Sequence, residues 1–113
     1  MTSNMGTIAY MSPESLVAQS TSGIKSDVYS FGIIMHEVFF EQVPFHQYQL
    51  DGIISIATKV VQGERPITPS EQELGLLSEN EELYLVLMQQ CWKEAPEERP
   101  SFDDIFSVFM RMN

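Results

Sequence analysis

The sequence predicts an all-α fold, and three observations carry that expectation. Apolar residues recur at helical spacing in several separate segments, capping signals stand before two of them, and no convincing strand pair can be found. The chain has 113 residues, of which 43% are apolar, so a packed core is feasible and the composition argues against disorder. One domain, or a piece of a larger one, is the most this length can hold.

Near the N-terminus, Ser12 caps a short helix whose first position is Pro13, where a missing N–H costs nothing. Farther on, Val28, Tyr29, Phe31, Ile33, Ile34, Met35, Val38, Phe39 and Phe40 leave no polar face at helical period. They predict a buried central helix over residues 26–41, capped by Ser26 or Asp27, with Pro44 just beyond its end. Residues 51–112 supply three more helices. In the first, Ile53, Ile54, Ala57, Val60 and Val61 form the apolar stripe, and Gly63 with Pro66 ends it. Ser78-Glu79-Asn80-Glu81 is a capping box that opens the second, which runs to about Trp92 with Leu83, Val86, Leu87, Gln90 and Cys91 along one side. Ser101-Phe102-Asp103-Asp104 opens the third, with Phe102, Ile105, Phe106, Phe109 and Met112 as its apolar face. Three amphipathic helices are too little cover for a helix that is apolar nearly all round. Phe31, Ile34, Met35, Val38 and Phe39 are therefore not all expected to be shielded.

Six basic and sixteen acidic side chains give a net charge of −10, which counts against nucleic acid or an anionic membrane as partner. Residues 64–104 alone carry a net −8, read as a solvated face. A single cysteine, Cys91, excludes an internal disulfide, and His36 and His46 lack metal-ligand spacing, so no metal site is expected. No uncharged run approaches the roughly 18 residues a membrane span needs, and Met1-Thr2-Ser3-Asn4 lacks signal-peptide character. The expected setting is cytoplasmic. Cys91 and Trp92 read as core, because no base is placed to activate the thiol, and Ser30 stands in no Gly-x-Ser-x-Gly elbow.

Five ordered blocks resemble the protein-kinase catalytic domain. Gly6-Thr7-Ile8-Ala9-Tyr10-Met11-Ser12-Pro13-Glu14 is similar to the end of a kinase activation segment, with Ser-Pro-Glu for the usual Ala-Pro-Glu. Asp27-Val28-Tyr29-Ser30-Phe31-Gly32 resembles the start of the kinase F-helix, and Pro44-Phe45 and Gly63-Glu64-Arg65-Pro66 follow at family spacing. The run from Cys91-Trp92 to Arg99-Pro100-Ser101-Phe102 resembles the junction of the last two helices. Gly6-Thr7 with Tyr10-Met11 is like the Ser/Thr type, and the late blocks lean towards the tyrosine-kinase-like group.

On this resemblance residues 1–113 are a partial kinase domain, the helical lower part of the C-terminal lobe. Residues 1–14 would end the activation segment, 26–41 form the central helix and 51–112 the last three helices. The parent activity would be ATP-dependent phosphorylation of protein Ser/Thr with Mg. The chain itself contains no Gly-rich loop, strand lysine, His-Arg-Asp loop or Asp-Phe-Gly site, so it is expected to hold no catalytic residue and no cofactor, and to be inactive alone. The expected partner is a protein substrate or the missing kinase segments. The alternative is a non-catalytic, kinase-derived interaction fragment. The resemblance also assigns roles. Gly6, Thr7, Tyr10 and Met11 would line the substrate loop, and Glu14 and Arg99 would form a structural ion pair. Asp27 would anchor the catalytic loop, and Thr2, Ser3 and Thr7 are candidate phosphorylation positions.

Overall fold

A computed structural model of the chain describes residues 8–18, 23–46, 48 and 52–112. Among the described residues, a helical turn at 8–10 is followed by α1 Pro13–Ala18, α2 Ile24–Phe40, α3 Ile53–Val61, α4 Glu71–Leu74, α5 Glu79–Cys91 and α6 Phe102–Arg111. A 3-10 turn at Pro96–Glu98 lies between α5 and α6. The all-α expectation holds, with no strand among the described residues. No helix among them is long and apolar enough to cross a membrane.

The centre of the fold is α2, with α5 packed along it and α3 against α1. It begins at Ile24, two residues before the expected start, and its N-cap is Gly23. Neither Ser26 nor Asp27 caps it. Ser26 lies in the first turn and donates its hydroxyl to the Glu14 carboxylate at 2.8 Å, a partner outside the helix. At the other end Glu41 takes a left-handed conformation (φ 53°), and the buried pair Pro44-Phe45 turns the chain away.

Val28, Tyr29 and Ile33 of α2 meet Val60, Met88 and Cys91 in the fully buried core. Gly32 sets how closely α2 and α5 approach. A Cβ there would lie 2.8 Å from the Cys91 Cβ and 3.1 Å from the Met88 carbonyl oxygen.

Both capping boxes form. Ser78 and Glu81 exchange side-chain and backbone hydrogen bonds, as do Ser101 and Asp104. A third, Ser70 with Glu73, opens the unexpected short helix α4 (Ser70 N–H to Glu73 Oε1 3.0 Å, Glu73 N–H to Ser70 Oγ 3.3 Å).

Three apolar stripes are rotated from their expected phase. On α3 the buried residues are Ile56 and Val60, while Ile54 and Val61 are exposed. On α5 they are Leu85, Leu87, Met88 and Cys91, with Leu83, Val86 and Gln90 outward. On α6 only Ile105 is buried, Phe109 and Met112 are half-buried, and Phe102 and Phe106 are exposed. On α5 the run Leu83-Tyr84-Leu85-Val86-Leu87-Met88 is apolar at every position, so periodicity leaves the phase open and packing decides it. On α3 and α6 polar residues interrupt the apolar ones, and packing covers only part of the apolar face.

As expected, α2 is not covered on all sides. Ile34 and Val38 are 45% and 66% exposed, and Phe31 and Phe39 are half-buried. Met35 is buried, because α5 lies over it and the Tyr84 hydroxyl donates to its carbonyl at 2.7 Å. Phe31 sits edge-on to Phe102 and Phe109, with ring centroids 5.9 and 6.3 Å away, and Phe39 stacks on Tyr84 at 5.2 Å.

Gly32→Ala tests this packing. Alanine raises helix propensity by about 1 kcal/mol, but the clash with Cys91 should outweigh it and cost about 1–3 kcal/mol net. A urea melt reads the result, and an unchanged or higher midpoint would show that α5 is free to move away.

Candidate functional site

The best-defined polar constellation joins the beginning of the described chain to its end. Glu14 lies in the first turn of α1, and Arg99 closes the 3-10 turn before α6. The structure brings them together as a bidentate pair, with Arg99 Nη1 to Glu14 Oε2 at 2.7 Å and Nη2 to Oε1 at 2.9 Å. Arg99 is 2% exposed. Its other N–H groups donate to carbonyl oxygens: Nε to Lys93 at 2.8 Å, Nη1 to Lys25 at 2.9 Å and Nη2 to Glu94 at 3.3 Å. All five guanidinium donors therefore have acceptors. Lys25 closes the loop by donating its ammonium to the Arg99 carbonyl at 2.6 Å.

Glu14 is held ionised well into acid. Desolvation pushes its pKa up, but hydrogen bonds from Arg99, the backbone and Ser26, with the Arg99 charge, prevail and bring it to about 2. Around the pair, Ser12 and Ser15 are buried, and the Ser12 hydroxyl donates to that of Ser15 at 2.8 Å. The Ser15 N–H is turned towards Ser12 Oγ at 3.4 Å, as the expected cap of α1 requires.

Tyr29 of α2 lies beneath two arginines, the guanidinium carbons of Arg65 and Arg99 each being 5.1 Å from its ring centroid. Its hydroxyl is buried without a partner among the described residues, and burial pushes its pKa up to about 12. Arg65 ties the end of α3 to the end of α5. Its Nε donates to the Trp92 carbonyl at 2.8 Å, and Nη2 reaches Glu94 at 3.2 Å.

Tyr10 lies beside α2. The Tyr10 hydroxyl donates to Glu37, its carbonyl accepts from the Ser30 hydroxyl at 2.7 Å, and Met11 is half-buried. Burial, then the Glu37 hydrogen bond and charge, raise the Tyr10 pKa to about 12. Asp27 is exposed in the first turn of α2. Thr2, Ser3, Gly6 and Thr7 lie outside the described residues. Cys91 and Trp92 are core residues, and burial, opposed by the Arg99 charge, raises the Cys91 thiol to about 12.

Sequence reasoning passed over Tyr29 as more than core, along with Arg65 and His36. The signal for Arg65 was present, since Arg65-Pro66 repeats the Arg99-Pro100 dipeptide. His36 is buried on α2, its Nε2–H donating to the Ile67 carbonyl at 2.7 Å, while Nδ1 has no partner among the described residues. Desolvation lowers its pKa, against the Ile67 hydrogen bond, so it is held as the neutral base.

A family model described as protein tyrosine and serine/threonine kinase matches residues 1–109. A probable serine/threonine-protein kinase of Dictyostelium discoideum is 37% identical over 109 residues, covering 96% of this chain and 11% of its own length. Human retinal guanylyl cyclase 2 is 39% identical over 116 residues, covering 98% of this chain and 10% of its own. Human atrial natriuretic peptide receptor 2 is 44% identical over 96 residues, covering 82% and 9%. The chain thus spans about a tenth of the length of these relatives.

Replacing Arg99 by Ala should cost about 3–5 kcal/mol, because the Glu14 carboxylate is left against the core. Adding Glu14→Ala should then cost little more, and strict additivity in a double-mutant cycle would show the two to be uncoupled. Acid should weaken the fold in two stages. Unfolded His36 takes up a proton near pH 6.5 while the folded imidazole resists it, so stability is full above that pH and falls below it. Glu14 contributes fully above 4.5, and that contribution is lost as pH falls through about 2. Urea midpoints across pH 8 to 2 read both stages, and Glu14→Gln should remove the lower one. Stability rising between pH 7 and 5 would contradict this.

Proposed function

Because the chain belongs to the protein tyrosine and serine/threonine kinase family, we propose that it forms the substrate-side, helical part of a kinase catalytic domain. The whole protein would transfer the ATP γ-phosphate to Ser or Thr of a protein substrate. The observation that carries this reading is the Glu14–Arg99 pair. The Glu of a Ser-Pro-Glu block and the Arg of an Arg-Pro block, 85 residues apart, meet as a bidentate pair with the Arg buried and the Glu half-buried. In this role the pair is structural and ties the segment preceding α1 to the final helix.

The remaining roles follow the family pattern residue by residue. Gly6, Thr7, Tyr10 and Met11 would flank the acceptor peptide, and Asp27 would accept backbone hydrogen bonds from a catalytic loop. Its exposure in the first turn of α2 leaves it accessible for that. Thr2, Ser3 and Thr7 would be the positions open to regulatory phosphorylation. ATP and Mg belong to this reading through the family alone. No three His, Cys, Asp or Glu side chains gather to hold a metal ion among the described residues, and no phosphate-binding loop occurs in the 113 residues. These residues do not fit the nucleotide.

A second reading is compatible with the same fold, whose relatives include proteins named as a guanylyl cyclase and a peptide receptor as well as kinases. In it the same fold serves as a non-catalytic interaction unit. Labelled ATP separates the two. The native protein, isolated intact from its own cells, should move the γ-phosphate to Ser/Thr of a protein acceptor, whereas a folded protein that transfers none would select the second reading. Residues 1–113 alone should bind no ATP·Mg by titration calorimetry. Micromolar binding would overturn the assignment of the nucleotide site to other segments.

A further inference from the structure

We propose that the cleft between residues 68–77 and α5 docks a cationic, amphipathic segment of a partner protein. The cleft has a volume of about 560 Å³ and an apolar lining of Leu74, Leu76, Leu77, Leu85 and Val86. Leu76 is wholly exposed, and Val86 is 54% exposed. On α5, Leu83 lies one turn before Val86 and is also exposed, so the apolar surface continues along the helix. An apolar patch with a polar rim is the usual mark of an interaction site on a water-soluble surface.

Charge selects the occupant. From residue 66 to residue 92 the chain carries five glutamates and no lysine or arginine. Glu82 lines the cleft, and Glu79 precedes it by one turn of α5. The ion pairs among the described residues are Arg65–Glu94 and Arg99–Glu14, so neither Glu79 nor Glu82 is neutralised there by a cation. Leucine-like side chains flanked by Lys or Arg would satisfy both features. A second copy of this chain would place the same acid-rich stretch against itself, which like charges disfavour.

The frame is held before any partner arrives. His36 pins the segment through the Ile67 carbonyl, and the Ser70–Glu73 box fixes α4. Gly75 turns the chain at φ +76°, a conformation that glycine takes without strain, and Leu76 follows it outward. Ordering costs at the moment of binding are therefore reduced.

Fluorescence anisotropy on the full 113-residue chain tests the proposal, using a labelled synthetic helix with one leucine face and one lysine face. It should bind, and more weakly as salt is raised. Leu76→Ser, Val86→Ser and Glu82→Gln, all at exposed or rim positions, should each weaken binding about three- to tenfold, or about 0.7–1.4 kcal/mol, without moving the melting temperature. Equal binding by a glutamate-faced helix, or by a lysine peptide without leucines, would overturn the proposal. So would affinity unchanged in all three variants, or a concentration-dependent dimer that Leu76→Ser abolishes. The readout is binding alone, so it stands apart from any result on phosphotransfer.

Discussion

The fold depends on one guanidinium. Arg99 is almost wholly buried, and its charge is tolerated because Glu14 opposes it and all five of its N–H groups find acceptors. Those acceptors come from α1, from the first turn of α2 and from the loop after α5. A buried charge enforces its own neighbourhood, since any displaced acceptor leaves part of it unsolvated in a medium of low dielectric. The first turn of α2, the entry to α1 and the Lys93–Glu94 corner are thereby fixed relative to one another. The ring of Tyr29 sits beneath Arg99 and Arg65 alike, so the same residue couples the polar clamp to the apolar core.

Arg65 repeats the device on a smaller scale. It ends one helix by holding the carbonyl at the end of another, and its ion pair with Glu94 is largely solvent-facing. The contrast is informative. An exposed pair of that kind contributes little by itself, whereas the backbone hydrogen bond to Trp92 fixes α3 against α5. Between these two arginines α2 is gripped tightly along its first half. Towards its C-terminal half it is covered by Tyr84 and Phe109 on one side and left partly bare at Ile34 and Val38 on the other.

For function, the clamp and the outward surfaces have different meanings. The clamp is a positioning element with no reactive group at its centre. Glu14 is held as a carboxylate, and Cys91 nearby is held as a thiol. A hydrogen-bonded ion pair of this kind is suited to holding segments in place rather than to reacting. The surface between residues 68–77 and α5 is unrelated to that anchor. It joins apolar exposure to unneutralised acid.

Much was legible in the sequence. The five expected helices are present, and both expected capping boxes and the Ser12-Pro13 start depend on side chain to backbone bonds made within three residues. Such bonds form whatever the rest of the chain does, so their residue order alone signals them. The Glu14 and Arg99 blocks stood out by resemblance. Their hydrogen-bonded geometry, with Lys25, Lys93 and Glu94 lending carbonyls, belongs to the tertiary structure, because carbonyl groups carry no sequence signature. Which faces of α3, α5 and α6 turn inward was likewise settled by packing. Leu83 through Met88 offers apolar atoms in every direction, and the close approach of Cys91 and Met88 to α2 at Gly32 is one of the contacts that fix the face turned inward. The start of α2 moved to Gly23 for a related reason: Ser26, a good cap by composition, had a more distant partner in Glu14. Local bonds are written in residue order, whereas the choice among equivalent apolar faces and the partners of a buried charge are collective properties that arise only once the helices meet.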